Sequence, residues 1–333
     1  MRQGDMHYKT GEAQGGLFDY QQHCAELAAR GTSLDRLKAA VAWEAFRGTL
    51  EQHLAYEDGA KGGRPAWDPV LMFQVLVLQK FHGLSDAQTE FQILDRFSFQ
   101  RFLGLRAGDA APDEKTIWVF KERLGAAGLR ALFDLFHAQL AARGLIGQQG
   151  KIVDATFVEA PRPRAARPWE HPAAARQQDA DARWTEQGGQ AHYGYKNHAK
   201  ADALTKLVED YTVTPANVHD SQRLDELAAP GDRVIYADSA YSGAPNAKKL
   251  AAKKLTGFIL AKATRNHPLT RAQKNLNRLK SAIRCRVEHV FARLTHWRAD
   301  RFRRRNLQRA KFEIGLSNLV YNFDRYAYLL SAG

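Results

Sequence analysis

Cysteine is scarce. Only Cys24 and Cys285 occur, far apart and without a C-x-x-C partner, which excludes both a disulfide framework and a thiolate zinc site. Long apolar runs are missing too. The longest, residues 70–78, is too short to span a bilayer, and residues 1–20 are polar and glycine-rich, without the apolar centre of a signal peptide. Together these absences predict a cytosolic chain in a reducing setting, neither exported nor membrane-spanning. No internal repeat is found in the 333 residues, and 44% hydrophobic with 26% charged content is not that of a disordered chain. The length allows a large core and two domains.

Acidic residues are nearly absent from one stretch. Residues 262–311 hold 16 basic and 2 acidic side chains, a local net of +14 against a formal +13 for the whole chain, so the remainder sums to −1. A solvated face can be basic, but a single-sign block of this density is more often the footprint of a polyanion, with nucleic acid first among them.

Up to about residue 144 the pattern is helical. Apolar residues at Leu34, Leu37, Val41, Phe46, Leu50 and Leu54 predict a helix over 34–54, with Thr32 or Ser33 as its cap, ended before the break at residues 61–65. Asp68 before Pro69 opens a helix to Phe81, Gly83 ends it, and Ser85 caps another running to about Phe97. Ser98 and Asp113 are further starts. Short helices with tight turns suit a helical domain with a helix-turn-helix-like unit, or equally a plain packing domain. From residue 150 strands take over: 151–160, then a hairpin of 192–201 and 207–213, then 233–238 and 256–261. Residues 161–190, rich in Pro, Arg and Ala, read as one long loop, and Asp220 or Ser221 caps a short helix. Leu276, Leu279, Ile283, Val287, Val290, Phe291 and Leu294 predict one long amphipathic helix, and residues 307–330 a second.

The strand at 151–160 has apolar residues on both faces, which suits a central strand, yet it carries Asp154 in its middle. A carboxylate there loses several kcal/mol of hydration unless a cation, a metal ion or hydrogen bonds compensate, so roughly that much must be recovered from a partner. Asp238 ends its strand before a turn into a helix, where open α/β sheets collect ligands. Glu288 follows Arg284 by one helical turn, on a face apart from the Leu276/Leu279/Ile283/Val287 stripe. Three converging carboxylates repel one another unless divalent cations neutralise them, and hard oxygen donors favour magnesium or manganese over zinc. Taken singly, Asp238 can be a helix cap and Glu288 an ion-pair partner of Arg284. Glu159, Asp179, Asp181, Asp202, Asp210 and Asp220 are rivals that spacing does not exclude. His198, His219 and His289 lack an H-x-x-x-H pair and read as hydrogen-bonded structural residues. Trp184 and Trp297 can stack on bases or pack in a core, and Trp297 stands inside the basic stretch.

The ordered motifs Val153-Asp154-Ala155-Thr156, Asp181-Ala182-Arg183-Trp184-Thr185, His192-Tyr193-Gly194-Tyr195-Lys196-Asn197-His198, Val213-Thr214-Pro215-Ala216-Asn217-Val218-His219-Asp220 and Tyr236-Ala237-Asp238-Ser239-Ala240-Tyr241 resemble those of bacterial insertion-sequence DDE transposases. The chain looks like the insertion-sequence-five family in particular. Gly63-Arg64-Pro65, Asp68-Pro69-Val70-Leu71-Met72-Phe73 and Gly83-Leu84-Ser85-Asp86 are similar to that family's leader domain, so the likeness covers nearly the whole chain. It implies an α/β, ribonuclease-H-like catalytic domain over 150–333, a mixed sheet flanked by helices with basic C-terminal helices, preceded by an all-helical domain over 1–144 that binds the transposon ends. It implies Asp154, Asp238 and Glu288 as catalytic, metal-binding triad. In these relatives the third carboxylate stands in a helix signature of Tyr, Arg, Glu and Lys. Here Arg284 and Glu288 are in place, while Ser281 stands for Tyr and Thr295 for Lys, so Lys280 or Arg298 would take over the outer contacts.

The activity so implied is cleavage at the element ends and joining of the 3′-hydroxyls to target DNA, with two magnesium ions, or manganese in their place, across the scissile phosphate. Double-stranded DNA is the partner, held by Arg284, Lys280, Arg298, Arg301, Arg303, Arg304, Arg305, Lys196 and Trp297, and two copies would meet on the paired ends. A catalytically inactive DNA-binding protein on the same fold, and a metal-dependent nuclease without strand transfer, are the alternative readings.

Overall fold

The computed structural model describes residues 19–56, 65–106, 108–147, 150–163, 178–264 and 267–332. The polar residues 1–18, the break at 61–64 and residues 164–177 of the 161–190 loop lie outside these. Helices α1 (Asp19–Arg30), α2 (Ser33–Ala40), α3 (Arg47–Leu54), α4 (Pro69–His82), α5 (Asp86–Asp95), α6 (Phe97–Leu103) and α7 (Glu114–Ala142) precede the sheet. The single helix expected over 34–54 is two, with a 3₁₀ turn at Trp43–Phe46 between them. Val41 is extended, and the Trp43 indole N–H donates to the Lys38 carbonyl at 3.1 Å, satisfying an acceptor that the broken helix leaves open. All six apolar residues of the expected stripe are nevertheless buried. Thr32 is the cap, in a reciprocal box with Asp35, and Ser85 forms the same box with Gln88. Asp68, Gly83 and Asp113 act as expected, whereas α6 starts after Arg96 with no side-chain cap, so Ser98 is not a start.

Helix α4 is apolar all round and is buried on nearly every side. With α2, α7 and the 3₁₀ turn Trp43–Phe46 it packs around α12 (Leu307–Ala332), the last helix. Phe323 of α12 is fully buried, with ring centroids 5.6 Å from Trp43, 5.7 Å from Phe46, 6.1 Å from Phe73 and 4.6 Å from Phe136. The helical region therefore closes its core around a C-terminal element. The same helix lies on the sheet: Asn318 exchanges hydrogen bonds with Asn197, and Asn322 both accepts from the Val208 N–H and donates to its carbonyl. A Cβ on Gly315 would stand 2.3 Å from the Tyr211 hydroxyl, so only glycine lets α12 approach strand and helix this closely.

The sheet contains β1 (Lys151–Glu159), β2 (Arg183–Gln187), β3 (Gln190–Asp202), β4 (Val208–Pro215), β5 (Val234–Ala237) and β6 (Thr256–Ile259). Its order is β2-β3-β1-β5-β6, with β4 also paired to β3. β1 is central, antiparallel to β3 and parallel to β5, as its two apolar faces require. Ile152 and Val158 join the large core beneath the helices, and Val153 joins a smaller one with Ile235, Leu224 and Tyr241. β2 lies inside the stretch read as loop. Its exposed, polar sequence gives no alternating pattern, and only the Gly188-Gly189 turn marks the hairpin to β3. On the far side come α8 (Leu224–Leu227) and α9 (Ala244–Ala252).

The long helix expected over 276–294 is broken. α10 (Arg271–Arg284) ends in a 3₁₀ turn at Cys285–Val287, and α11 (Glu288–His296) follows. Val287, Val290 and Leu294 are buried, but Leu276 and Leu279 are 53% and 68% exposed. α10 touches the sheet through its polar side: Asn277 pairs with the Ala261 backbone and Lys280 donates to the Ile259 carbonyl at 2.8 Å. Among the described residues no helix is long and apolar enough to cross a membrane.

Candidate active site

Asp154 lies midway along β1, on the parity of Ile152 and Val158, and so faces α10 and α11. The parallel register sets Val153 beside Ala237, and one step further along come Asp154 and Asp238. Asp238 caps the 3₁₀ turn Ser239–Tyr241, accepting from the Ala240 N–H at 2.8 Å. The Arg284 guanidinium reaches in from the end of α10. One terminal nitrogen contacts Asp154 Oδ2 at 2.5 Å, the other Glu288 Oε1 at 3.2 Å. Burial lifts the Asp154 carboxyl to about 6, with the Ala155 amide and Arg284 opposing and the charge of Asp238 adding to the lift. A carboxyl this close to a second one, and this poorly hydrated, holds its negative charge best with a cation beside it.

Tyr241 is fully buried beneath this point, and its hydroxyl has no hydrogen-bond partner. Burial, then the charges of Asp220, Asp154 and Asp238, push its ionisation well above the ordinary range, so it stays a neutral phenol. Among the described residues no three Asp, Glu, His or Cys side chains stand ready to hold a metal ion. Asp154 and Asp238 are hard oxygen donors on neighbouring strands and suit magnesium or manganese; Glu288, 63% exposed, is turned to Arg284 instead.

The rival carboxylates have partners of their own. Asp179 accepts from the Tyr195 hydroxyl and the Asn306 N–H, Asp181 from the Leu307 N–H, and Asp202 pairs with Lys151. Asp210 pairs with Arg130, Asp220 with Lys196, and Glu159 with His192. His198 is buried against the Thr214 hydroxyl at 2.8 Å and His219 bonds Ser221, as structural histidines would, while His289 lies exposed.

Of the residues expected on DNA, Arg298, Arg301 and Arg303 are exposed and line two clefts. Arg305 is exposed as well. Four sit differently. Lys196 is buried, donating to Asp220 at 2.8 Å and to the Val218 carbonyl at 3.0 Å. Trp297 is 4% exposed, packed on Phe81 with the Arg293 guanidinium over its ring, so it is a core residue and no platform for a base. Arg304 is ion-paired with Glu122 and Glu313, and Lys280 is occupied with the edge of β6. Lys280 is thus engaged within the fold, while Arg298 stands exposed along a cleft. Trp184 is 48% exposed, with Tyr193 and Arg162 beside it.

One feature is not legible from the sequence. Residues 300–302 are clamped to the end of β1, with Glu159 N–H donating to the Asp300 carbonyl and Phe302 N–H to the Glu159 carbonyl. This sets Arg301 and Arg303 along a cleft of about 630 Å³ that also holds Arg162 and a parallel stack of His192 on Phe157. Only the strand register brings those two rings together; their separation in sequence carries no signal.

A mixed sheet with one carboxylate in its central strand and a second just past the end of the parallel neighbour, flanked by helices and preceded by a helical region, is a ribonuclease-H-like DDE architecture. The family model of the transposase DDE domain matches residues 146–323, more than half of the chain, and a second model, described as a transposase domain, matches residues 22–123. The chain belongs to the transposase DDE domain family: it is a transposase, an enzyme that acts on DNA, and domains of this family generally use divalent metal ions. No solved structure matches it.

Proposed function

We propose that this transposase serves an insertion sequence of the insertion-sequence-five kind, binding its terminal inverted repeats, cutting at the element ends and joining the 3′-hydroxyls to target DNA. The observation that carries the reading is Asp154 on the central strand, next to Asp238 on its parallel neighbour and joined through Arg284 to Glu288. These three carboxylates would hold the divalent ions. When bound, such ions supply Lewis-acid activation of the attacking oxygen and charge relief at the leaving one. Tyr241, kept neutral and dry, closes the floor beneath them and excludes water.

Phosphates are gripped by Arg298, Arg301 and Arg303 on the cleft rims. Sequence preference comes from the helical region, although not through α5, which carries Asp86, Glu90 and Asp95 and no basic residue to face a groove. Concerted joining of two ends calls for two copies of the chain on DNA.

Purified full-length protein with magnesium and a labelled end duplex should nick and join. Asp154→Asn, Asp238→Asn and Glu288→Gln should each abolish cleavage while duplex affinity stays within a few-fold. Asp95→Asn, on the exposed face of α5, should keep both. Cleavage that survives loss of a triad member removes that residue from the set.

A further inference from the structure

We infer that Arg284 is a gate on the metal site, holding Asp154 and Glu288 apart from any divalent ion until a DNA phosphate draws its guanidinium away. The inference rests on the triad reading above and explains why the three carboxylates do not stand as a ready site. Each terminal nitrogen of Arg284 takes one oxygen of one carboxylate, Asp154 Oδ2 at 2.5 Å and Glu288 Oε1 at 3.2 Å. Asp154 Oδ1 already accepts from the Ala155 N–H at 2.9 Å, so the guanidinium takes the remaining oxygen of that carboxylate, and a divalent ion entering there meets a fixed positive charge. For an ion to bind, the arginine has to release these oxygens. It has to move.

The structure lets it move. Arg284 is the last residue of α10, and the 3₁₀ turn Cys285–Val287 separates it from α11, so the guanidinium is not locked into one continuous helix with Glu288. Its Nε is buried and has no hydrogen-bond partner, so the closed position leaves one donor unsatisfied. A phosphodiester offers the same fork geometry as a carboxylate and the same sign of charge. The surface that leads to it carries Arg271, Lys274 and Arg278 of α10, all exposed. DNA arriving along that helix exchanges Arg284 from carboxylates to phosphate and leaves Asp154, Asp238 and Glu288 with uncompensated charge. Ion binding then follows DNA binding, and an enzyme without its DNA stays metal-poor. By linkage the coupling is reciprocal: the factor by which DNA tightens metal binding is the factor by which metal tightens DNA binding.

The test is manganese binding by full-length protein, followed by the paramagnetic resonance signal of the free ion, with and without a pre-nicked end duplex. Ions lost in Asp154→Asn define the site count. For the wild type, DNA should tighten binding at these sites by about tenfold, which corresponds to about 1.4 kcal/mol. Arg284→Gln should bind manganese that much more tightly without DNA and gain nothing further on adding it. Arg284→Lys, which keeps the charge but loses the fork, should fall between. Wild-type affinity indifferent to DNA overturns the gate, and that measurement needs no variant to fold. So does Arg284→Gln, folded by circular dichroism, with unchanged or weaker manganese affinity. If Asp154→Asn binds manganese as the wild type does, the triad reading itself fails.

Discussion

Arg304 stands in the most basic run of the chain and lines the same cleft as Arg298, Arg301 and Arg303, yet its guanidinium is held by Glu122 and Glu313. Position within a charged run therefore does not say which residue meets DNA. Replacing Arg298, Arg301 and Arg303 with Ala should weaken specific and scrambled duplexes alike and flatten the log–log salt dependence by about one unit per lost contact. Arg304→Ala should leave that slope unchanged and lower the melting temperature. A salt titration of binding beside a melting curve separates the two. The same contrast explains what the sequence made legible at this scale. Asp154 stood out because a carboxylate amid apolar neighbours needs a partner, and that argument requires only the strand. The burial of Lys196 and Trp297 is not legible in the sequence, because their partners, Asp220 and Phe81, are brought by tertiary packing that no local pattern encodes.

Among the elements, α10 and α11 carry one continuous apolar periodicity, but the chain uses only its second half. Leu294 is buried at 4% exposure, whereas Leu279 is 68% exposed. Leu294→Ala should cost about 2–5 kcal/mol of stability and Leu279→Ala stay within about 0.5 kcal/mol, measured by urea unfolding of both. Equal losses would mean that the outer stripe is covered in solution. Helix ends were readable wherever capping chemistry is local, as at Thr32, Asp68, Gly83, Ser85 and Asp113. The breaks at Val41 and Cys285 were not, since neither residue is a helix breaker. Strands β1, β3, β4 and β5 announced themselves by β-branched and aromatic runs, and β2, polar and exposed at the sheet edge, did not.

For the whole molecule, a charged cluster ties the helical region to the last helix. Glu313 of α12 meets Lys80 of α4 at 2.7 Å, with Lys121 of α7 and Arg304 close by. Burial pushes the Glu313 carboxyl up, but these cations overcome it and hold it down at about 2, against an ordinary value of 4.5. A group depressed on folding contributes stability that is complete above its unfolded value and is lost as pH falls through the folded one. Glu313→Gln should therefore be less stable than the wild type at neutral pH, by roughly 3 kcal/mol for a broken, largely buried pair. The difference should shrink between pH 4.5 and about 2, which chemical unfolding at stepped pH would read.

Helix α12 also sets an order of events during synthesis. Helices α2 to α7 leave the ribosome first, and the hollow they form around Phe323 stays open until residues 307–332 have been made. Through translation of the entire sheet, Phe46, Phe73 and Phe136 have no final partner, and the nascent chain carries exposed aromatic surface that chaperones would have to shield. The helical region matures only together with the sheet, so a polypeptide stopped short of α12 would be left aggregation-prone, with its aromatic hollow uncovered.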